Sequence, residues 1–392
     1  MVMTNAFTQP ETTSFDFSEE CLSALASWSE QVKQVTLATG EKVWLAKGYE
    51  EVRLILSDAR FGAGDEPMHR ASWSEEERKI GRLLHNDPPQ HGWYRQPLNK
   101  AFSARRIQQL EPRIREIARE QLDVLSRSQN RSADLIETFA LPVPERVIHE
   151  ILGILPVFRS EFREIIEGLL RRGQTSEESR VFVDQALDCM CRVIEEIRRA
   201  PTGGLLDELI ATGQFADVVL ADLAVTLLMG GYLTITGMVT ESVAVLSQNP
   251  EARRNLLVGA PQSSETVEEL LRYITVIQYG VDRVAREHIR LGGQEIKEGD
   301  RVVAFLPAAN RDPALCPHPE AMDATRRRVR HASFGFGPHQ CLGQQLARVE
   351  LEVMLTELFG RFPHLRPVRA CEALPRRIET VIGGFDRFPV TW

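Results

Sequence analysis

The pattern of apolar and polar positions changes once near the N-terminus, from a strand-like alternation to a helical period. Residues 35–37 and 42–46 alternate and flank the turn Thr39-Gly40-Glu41, which predicts a β-hairpin. Apolar positions then recur with a helical period from Tyr49. We therefore expect a small β-rich lobe over residues 34–60, and the last residues of the chain resemble a further strand.

Helical periodicity dominates the middle of the chain. The segments that carry it are 91–126, 142–171, 178–199, 217–247, 265–273 and 342–360. Short strands are expected around 289–297 and 301–306, and a turn-rich stretch covers 309–330. The chain has no internal repeat and no Gly/Ser linker. The pattern predicts one domain over residues 1–392, mainly α with small β-sheets (α+β), with a helical body over 87–360.

Composition and charge narrow the functional classes. Of 392 residues, 43% are apolar, and 47 basic against 55 acidic side chains leave a net charge of -8, which disfavours nucleic acid and anionic membranes as partners. The apolar run 223–240 carries three glycines and four threonines, so it predicts a buried core helix rather than a membrane span. With no basic residue before Lys33, we expect no secretory signal and a cytoplasmic protein.

Several common site motifs are missing from the sequence. It contains no Walker loop, no complete dinucleotide-binding glycine pattern, no His-Glu-x-x-His helix and no Gly-x-Ser-x-Gly elbow. These absences disfavour nucleotide-dependent, zinc-dependent and serine-hydrolase chemistry. The six cysteines lack the paired spacings of a zinc site, so most of them are expected to be reduced and structural.

One cysteine stands apart from the others. The segment Phe334-Gly-Phe-Gly-Pro-His-Gln-Cys341-Leu-Gly343 leads directly into a helical pattern. We expect Cys341 to open that helix, where unsatisfied N–H groups and the positive dipole end favour a thiolate. Gly337 and Gly343 would let the backbone approach a flat, bulky partner closely. The alternative is a buried structural cysteine at a helix start.

This segment resembles the cysteine-ligand loop of the cytochrome P-450 superfamily, and the resemblance extends over nearly the whole chain. It implies the cytochrome P-450 fold, with haem b (iron protoporphyrin IX) between the central helix and the cysteine loop. Cys341 would be the axial iron ligand, whose electron donation favours cleavage of the O–O bond. Phe334, Gly337 and Gly343 would lie against the haem.

Two further sets of residues match positions of the family. Glu269-Leu-Leu-Arg272 resembles its helical Glu-x-x-Arg pair, and Arg326 would complete that structural network. His91 and Arg95 resemble its His-x-x-x-Arg helix, in which both side chains share one face. The resemblance assigns the haem propionates to four cationic side chains, namely His91, Arg95, Arg283 and His331.

The central helix of the family resembles residues 217–247. Gly230 and Gly231, followed by Thr234, suit a locally opened helix whose threonine hydroxyl bonds a freed carbonyl. Thr234 would organise dioxygen. The family usually has an acid where this chain has Leu233, and a leucine cannot relay protons. An apolar residue is also what a plain core helix would have there.

The resemblance implies a monooxygenase that inserts one oxygen atom of O2 into a small, largely apolar molecule of secondary metabolism. The substrate would contact Tyr232, Leu233, Val276, Ile277 and Ile382, together with the loop 61–85.

Electrons would come from ferredoxin and ferredoxin reductase, and the enzyme would act as a monomer without membrane or nucleic-acid partners. The donor would dock near Lys100, Arg105, Arg106 and Arg348. Because of Leu233, the alternative is atypical haem-thiolate chemistry, either peroxide-driven oxidation or oxidative coupling. A haem-based gas sensor or carrier is a third possibility, to which a thiolate ligand is poorly suited.

Overall fold

The computed structural model describes residues 28–37, 40–63, 80–169, 176–377 and 382–392. Most of these residues are helical. The α-helices are α1 (Tyr49–Ser57), α2 (Arg82–His85), α3 (Gln90–Ala101), α4 (Ala104–Ser126), α5 (Pro142–Leu152), α6 (Arg159–Leu169), α7 (Ser176–Arg199), α8 (Leu205–Thr212), α9 (Asp217–Gly231), α10 (Leu233–Gln248), α11 (Pro250–Val258), α12 (Gln262–Ile274), α13 (Leu306–Ala309) and α14 (Gln344–Arg361). The predicted mainly helical architecture with small sheets is confirmed.

The strands form three small sheets. They are β1 (Val32–Thr36), β2 (Lys42–Ala46), β3 (Phe61–Gly62), β4 (Ser132–Asp134), β5 (Val281–Ala285), β6 (Ile289–Leu291), β7 (Gln294–Ile296), β8 (Arg301–Ala304), β9 (Arg366–Pro367) and β10 (Pro389–Thr391). The largest sheet has the order β1-β2-β8-β5-β3, with β2 and β8 parallel and the other neighbours antiparallel. The other two sheets are antiparallel, in the orders β4-β10-β9 and β6-β7.

Burial of apolar faces explains how these elements pack. Helix α4 buries Ile107, Ile114 and Leu125 at helical spacing and packs against α14. A large apolar cluster extends from there through α9 and α10, and a second cluster lies between α1 and the five-stranded sheet. Burial of such faces from water is the main stabilising term. The helices around α9 and α10 thus form the body, and the five-stranded sheet forms a side lobe.

The helix boundaries differ from the sequence expectation where the backbone turns locally. Segment 91–126 forms two helices, because Ser103 is extended and caps α4. Segment 142–171 also divides, because Gly153 adopts a left-handed φ of 84°, which glycine does at no steric cost. The elements α8, α11 and β5 were not predicted from the sequence. The start signal of α11 is Asn249-Pro250, since proline favours the first turn of a helix.

A buried ion pair connects α12 to the turn-rich stretch before the cysteine loop. Arg272 is fully buried and donates two hydrogen bonds to the Glu269 carboxylate, at 2.7 and 2.8 Å. Its other contacts are the carbonyl oxygens of Asn310, Pro319 and Ala321. The structure thus brings both members of the Glu-x-x-Arg motif together with the turn-rich stretch.

Arg326 joins the same group. Its Nε lies 3.1 Å from the Glu269 carboxylate, and its remaining nitrogens donate to backbone carbonyls of the same stretch. The structure therefore brings the predicted third member of the network to the other two.

The neighbouring carboxylate, Glu268, forms a second cluster. It accepts hydrogen bonds from Arg348 on α14, and it lies 3.3 Å from Nε2 of His331. Burial alone would raise the pKa of Glu268, but the His331 and Arg348 contacts outweigh it and lower that pKa to about 2. The cluster connects α12, α14 and the start of the cysteine loop, so its charge state affects how these elements are held together.

We predict that Glu268→Gln lowers the free energy of unfolding by roughly 1–3 kcal/mol at pH 7. A carboxyl whose pKa is depressed on folding stabilises the protein above its unfolded-state pKa, and the stabilisation disappears as the pH falls through the folded-state value. The difference between wild type and variant should therefore shrink between pH 4.5 and about 2. Urea unfolding at pH 7 and at a series of acidic pH values measures it. Glu265→Gln, at an exposed position of α12, is the matched control, and an equal difference at every pH would contradict the prediction.

Candidate active site

A cavity of about 340 Å³ lies between α9, α10, α14 and the cysteine loop. Most of its lining is apolar, including Leu227 and Met238 from the central helices. The charged or titratable side chains among the described lining residues are Arg95, Arg283, His339, Cys341 and Glu350. The cavity thus combines an apolar wall with a few polar groups, as small-molecule sites do.

The loop 333–343 carries Cys341 to this cavity. Its turn is closed by the Cys341 N–H, which donates to the Phe334 carbonyl at 2.8 Å, and Phe334 also lines the cavity. Helix α14 begins only at Gln344, so Cys341 lies before the helix and does not open it. This corrects the expectation, and the reason is the turn that the glycines of the loop introduce.

The two glycines predicted to face a flat partner differ in their surroundings. Gly343 lines the cavity, and a Cβ built there would meet nothing within 4 Å. Gly337 does not line the cavity. Its φ is +70°, and a Cβ there would lie 2.4 Å from the carbonyl oxygen of Leu56. The structure therefore does not bring Gly337 to the cavity, and this glycine lets the loop approach the backbone of α1.

Opposing effects act on the thiol of Cys341. Burial raises the pKa of Cys341, although the Gly343 N–H and the charges of Arg95 and Arg348 act in the opposite direction. The thiolate expected from the sequence stays a prediction. A metal ion that binds this sulfur would displace its proton, since a thiolate is the ligand form.

Cationic side chains converge beside the cysteine. Arg95 lines the cavity and donates to the Gln340 carbonyl, and Arg283 on β5 lines it as well. His91 does not line the cavity itself, but its ring centroid lies 4.1 Å from that of the lining residue His339. Nε2 of each ring is buried without a hydrogen-bond partner among the described residues. Burial, His91 and Arg283 together lower the pKa of His339 to about 3. The positive charge at this end of the cavity therefore comes from Arg95 and Arg283, and it suits an anionic ligand.

His339 is a site residue that the sequence reasoning missed. It lies at the cavity, where the sequence analysis expected His331. His331 does not line the cavity, because its imidazole turns towards Glu268. His339 is only two residues before Cys341, inside the segment singled out from the sequence. Its proximity to the cysteine was the available signal.

The central helix is interrupted beside the cavity. Helix α9 ends at Gly231 and α10 begins at Leu233, with Tyr232 between them at φ -121°. The Thr234 hydroxyl donates to the Gly230 carbonyl at 2.8 Å, so it satisfies a carbonyl near the interruption. Gly230, Gly231 and Thr234 all line the cavity.

Burial of the central helices decides between a core helix and a membrane span. The segment Asp217–Gln248 is long and apolar enough to cross a membrane by length and composition, but most of it is buried inside the protein. It is the core helix that the sequence predicts.

The predicted substrate contacts divide into two groups. Val276 and Ile277 line the cavity. Tyr232, Leu233 and Ile382 do not, because they are buried in the main apolar cluster at 1%, 3% and 5% exposure. The structure therefore does not bring these three side chains to the cavity wall, although Ile382 forms a β-bridge with the lining residue Ile277. Of the predicted loop 61–85, residues 64–79 lie outside the described residues, whereas Leu83 and Leu84 line the cavity.

These residues fit a haem group. Cys341 offers sulfur to an iron, and Gly230 leaves open space in the opposite wall, where a Cβ would meet nothing within 4 Å. The buried, unpartnered imidazole nitrogens of His91 and His339 provide hydrogen-bonding groups for carboxylates. An iron–thiolate bond and two carboxylate groups are what haem brings to such a site.

Comparison with known proteins agrees with this geometry. A family model described as Cytochrome P450 matches residues 240–370. The chain is 38% identical over 370 residues to Cytochrome P450 105C1 of Streptomyces sp., covering 92% of each chain. It is 37% identical over 368 residues to 20-oxo-5-O-mycaminosyltylactone 23-monooxygenase of Streptomyces fradiae, covering 93% of this chain and 87% of that protein.

A solved structure is similar over almost the whole length. The structure of CYP105P1 in complex with filipin I matches with a TM-score of 0.87 and 35% identity, covering 99% of each chain. Similarity at this level is found in sequence and in fold, and it extends over both walls of the cavity. The chain belongs to the cytochrome P450 family, in its bacterial form, and is a haem-thiolate monooxygenase.

Proposed function

We propose that this enzyme inserts one oxygen atom of O2 into a small, largely apolar organic molecule of secondary metabolism. The observation that carries the proposal is the single cavity that Cys341 and the interrupted helix at Thr234 both line. The apolar remainder of its wall, with Leu227, Val276 and Ile277, favours an apolar substrate. The metabolic setting is supported by the relative named 20-oxo-5-O-mycaminosyltylactone 23-monooxygenase and by a second relative named Mycinamicin IV hydroxylase/epoxidase.

The residues of the chain would hold haem b in this cavity. Cys341 would bind the iron, and His91, His339, Arg95 and Arg283 would bind the two carboxylates. When bound, the haem supplies the activation of O2, with one oxygen atom leaving as water. Thr234 donates its hydroxyl proton to the Gly230 carbonyl at the opposite wall, so its oxygen is left to accept a hydrogen bond from water near the reacting oxygen, and the apolar lining excludes bulk water.

The electrons would come from ferredoxin and ferredoxin reductase in the cytoplasm. Lys100 and Arg105 are exposed near the start of α4 and suit an acidic donor protein. Arg106 and Arg348 contribute less to such a patch, because they form ion pairs with Glu208 and Glu268 within the chain.

Leu233 favours one alternative. Since the side chain that replaces the usual acid is buried in the core, peroxide-driven oxidation or oxidative coupling would need no acid at that position. Turnover with a ferredoxin pair, compared with turnover supported by hydrogen peroxide alone, separates the two functions. Product formed only with peroxide would favour the alternative.

Replacing the proposed iron ligand tests the function directly. Cys341→Ser should abolish the thiolate-type spectrum of the ferrous carbonyl complex and all ferredoxin-dependent product, because a serine oxygen donates far less electron density to iron. Cys316→Ser, a buried cysteine away from the cavity, is the matched control. If Cys341→Ser kept the spectrum of the wild type, Cys341 would be excluded as the ligand.

Haem retention distinguishes the two histidines. His339→Ala should release haem to an acceptor protein roughly tenfold faster than wild type or more, since a hydrogen bond to a charged group contributes about 1.5–3 kcal/mol. His331→Ala should leave the release rate near that of wild type, because this imidazole faces Glu268. Faster release by His331→Ala than by His339→Ala would reverse the assignment.

The hydroxyl of Thr234 should control how electrons are used. Thr234→Ala should divert a larger fraction of electrons to hydrogen peroxide, since protons would reach the reacting oxygen with less control. Thr234→Ser keeps the hydroxyl and should restore most of the product. The measurement is product formed per electron consumed with a ferredoxin pair, and an unchanged ratio in Thr234→Ala would remove Thr234 from this role.

A further inference from the structure

One hydroxyl side chain of the cavity wall has no role in the site described above. Thr226, Thr234 and Ser333 are the three hydroxyl side chains among the described residues that line the cavity. Ser333 belongs to the loop that carries Cys341, and its hydroxyl donates to the Leu271 carbonyl. Thr234 lies beside the interruption of the central helix. Thr226 is the hydroxyl that remains to be explained.

Helical spacing places Thr226 on the wall that carries Thr234. Thr226 and Gly230 are four residues apart on α9 and both line the cavity, so they share one face of that helix. Thr234, in the first turn of α10, lines the same cavity. Four helical residues span about 6 Å along the axis. Thr226 is therefore roughly one turn away from Gly230, in the direction that leads away from the interruption.

A buried acid holds the hydroxyl group of Thr226. Oγ1 of Thr226 donates to Oδ1 of Asp222 at 3.3 Å, one turn earlier on α9. Asp222 is completely buried and accepts hydrogen bonds from the Gly81 N–H at 2.6 Å and from Nη1 of Arg82 at 3.2 Å. Burial raises the pKa of Asp222, while the Gly81 N–H and Arg82 act against that effect. The contacts named here all bring donors to Asp222, so this carboxylate is the acceptor for the proton of Thr226.

This arrangement decides what Thr226 offers to a molecule in the cavity. A threonine hydroxyl has one proton and can accept two hydrogen bonds. Because its proton is directed to Asp222, Thr226 offers an acceptor and no donor. The neighbouring wall is apolar, since Leu83 and Leu84 on α2 and Leu227 on α9 also line the cavity. A polar group buried there without a partner is unfavourable, so a single acceptor distinguishes between substrates.

We infer that Thr226 selects substrates by accepting a hydrogen bond from a hydroxyl or N–H group, which the substrate carries away from the carbon that is oxidised. A group that only accepts hydrogen bonds, such as an ether oxygen, is disfavoured at this position, because it would meet the lone pairs of Thr226. Asp222 is a positioning residue, since it acts through Thr226. The inference rests on the function proposed above and names the class of its substrate, a largely apolar molecule with one such donor.

Iron-binding probes test this selection on the ferric holoenzyme without turnover. The probes are imidazoles with an alkyl chain of graded length that ends in a hydroxyl group, compared with methyl ethers of equal length, and the shift of the haem absorption band measures binding. At the best-binding length, wild type should bind the hydroxyl probe roughly two- to tenfold more tightly than the ether, the range of one hydrogen bond. Thr226→Val should bind the ether at least as tightly as the hydroxyl probe, because the hydroxyl would be buried without a partner.

Two variants control for changes in the fold. Thr226→Ser keeps the hydroxyl group and should keep the preference for the hydroxyl probe. Thr240→Val removes a buried hydroxyl of α10 that donates to the backbone carbonyls of Thr236 and Gly237 and does not line the cavity. This second variant should match wild type.

The outcomes separate this inference from the proposed function. If wild type binds the two probes equally or prefers the ether, Thr226 does not present an acceptor and the inference is wrong. The inference is also wrong if Thr226→Val keeps the preference of wild type. In both cases, ferredoxin-dependent product would leave the proposed function standing. If no probe shifts the haem band, the cavity does not admit organic molecules to the iron, and both fail.

Discussion

The guanidinium group of Arg272 is completely buried and cannot lose its proton, so the surrounding chain must satisfy it. Glu269 supplies the negative charge, and three carbonyl oxygens from the stretch 310–321 accept the remaining hydrogen bonds. Removing one partner of such a pair leaves an uncompensated buried charge, which costs several kcal/mol. The turn-rich stretch, which has little regular structure of its own, is thereby held against α12, and it leads directly into the loop that carries Cys341.

Charge is distributed unevenly around the cavity. The cationic groups lie together beside the cysteine, while their main nearby acid, Asp87, pairs with Arg286. The rest of the wall is mostly apolar. A ligand that fits must therefore be anionic at one end and flat and apolar elsewhere, which describes haem better than a nucleotide or a metal ion alone. The same apolar wall leaves the substrate to be selected largely by shape.

Periodicity and motifs predicted the helical class, the hairpin of β1 and β2, and the presence of Cys341, Arg95, Arg283 and Thr234 in one cavity. Such features depend on residues close in sequence, whose relative directions a helix or a tight turn determines. The direction of a side chain between packed elements depends on tertiary structure. For this reason His331 was assigned in place of His339. The same limit applies to Gly337, whose close neighbour Leu56 is distant in sequence.

Core packing limits which side chains the central helices can carry. Leu233 is buried among apolar side chains, where a carboxyl would need a partner or a proton, so leucine stabilises the fold at that position. The two acids that are buried on these helices have such partners, since Asp222 accepts a hydrogen bond from the Gly81 N–H and Glu241 pairs with Arg376. Among the described residues of α9 and α10, a buried acid therefore occurs where the chain supplies its counterpart.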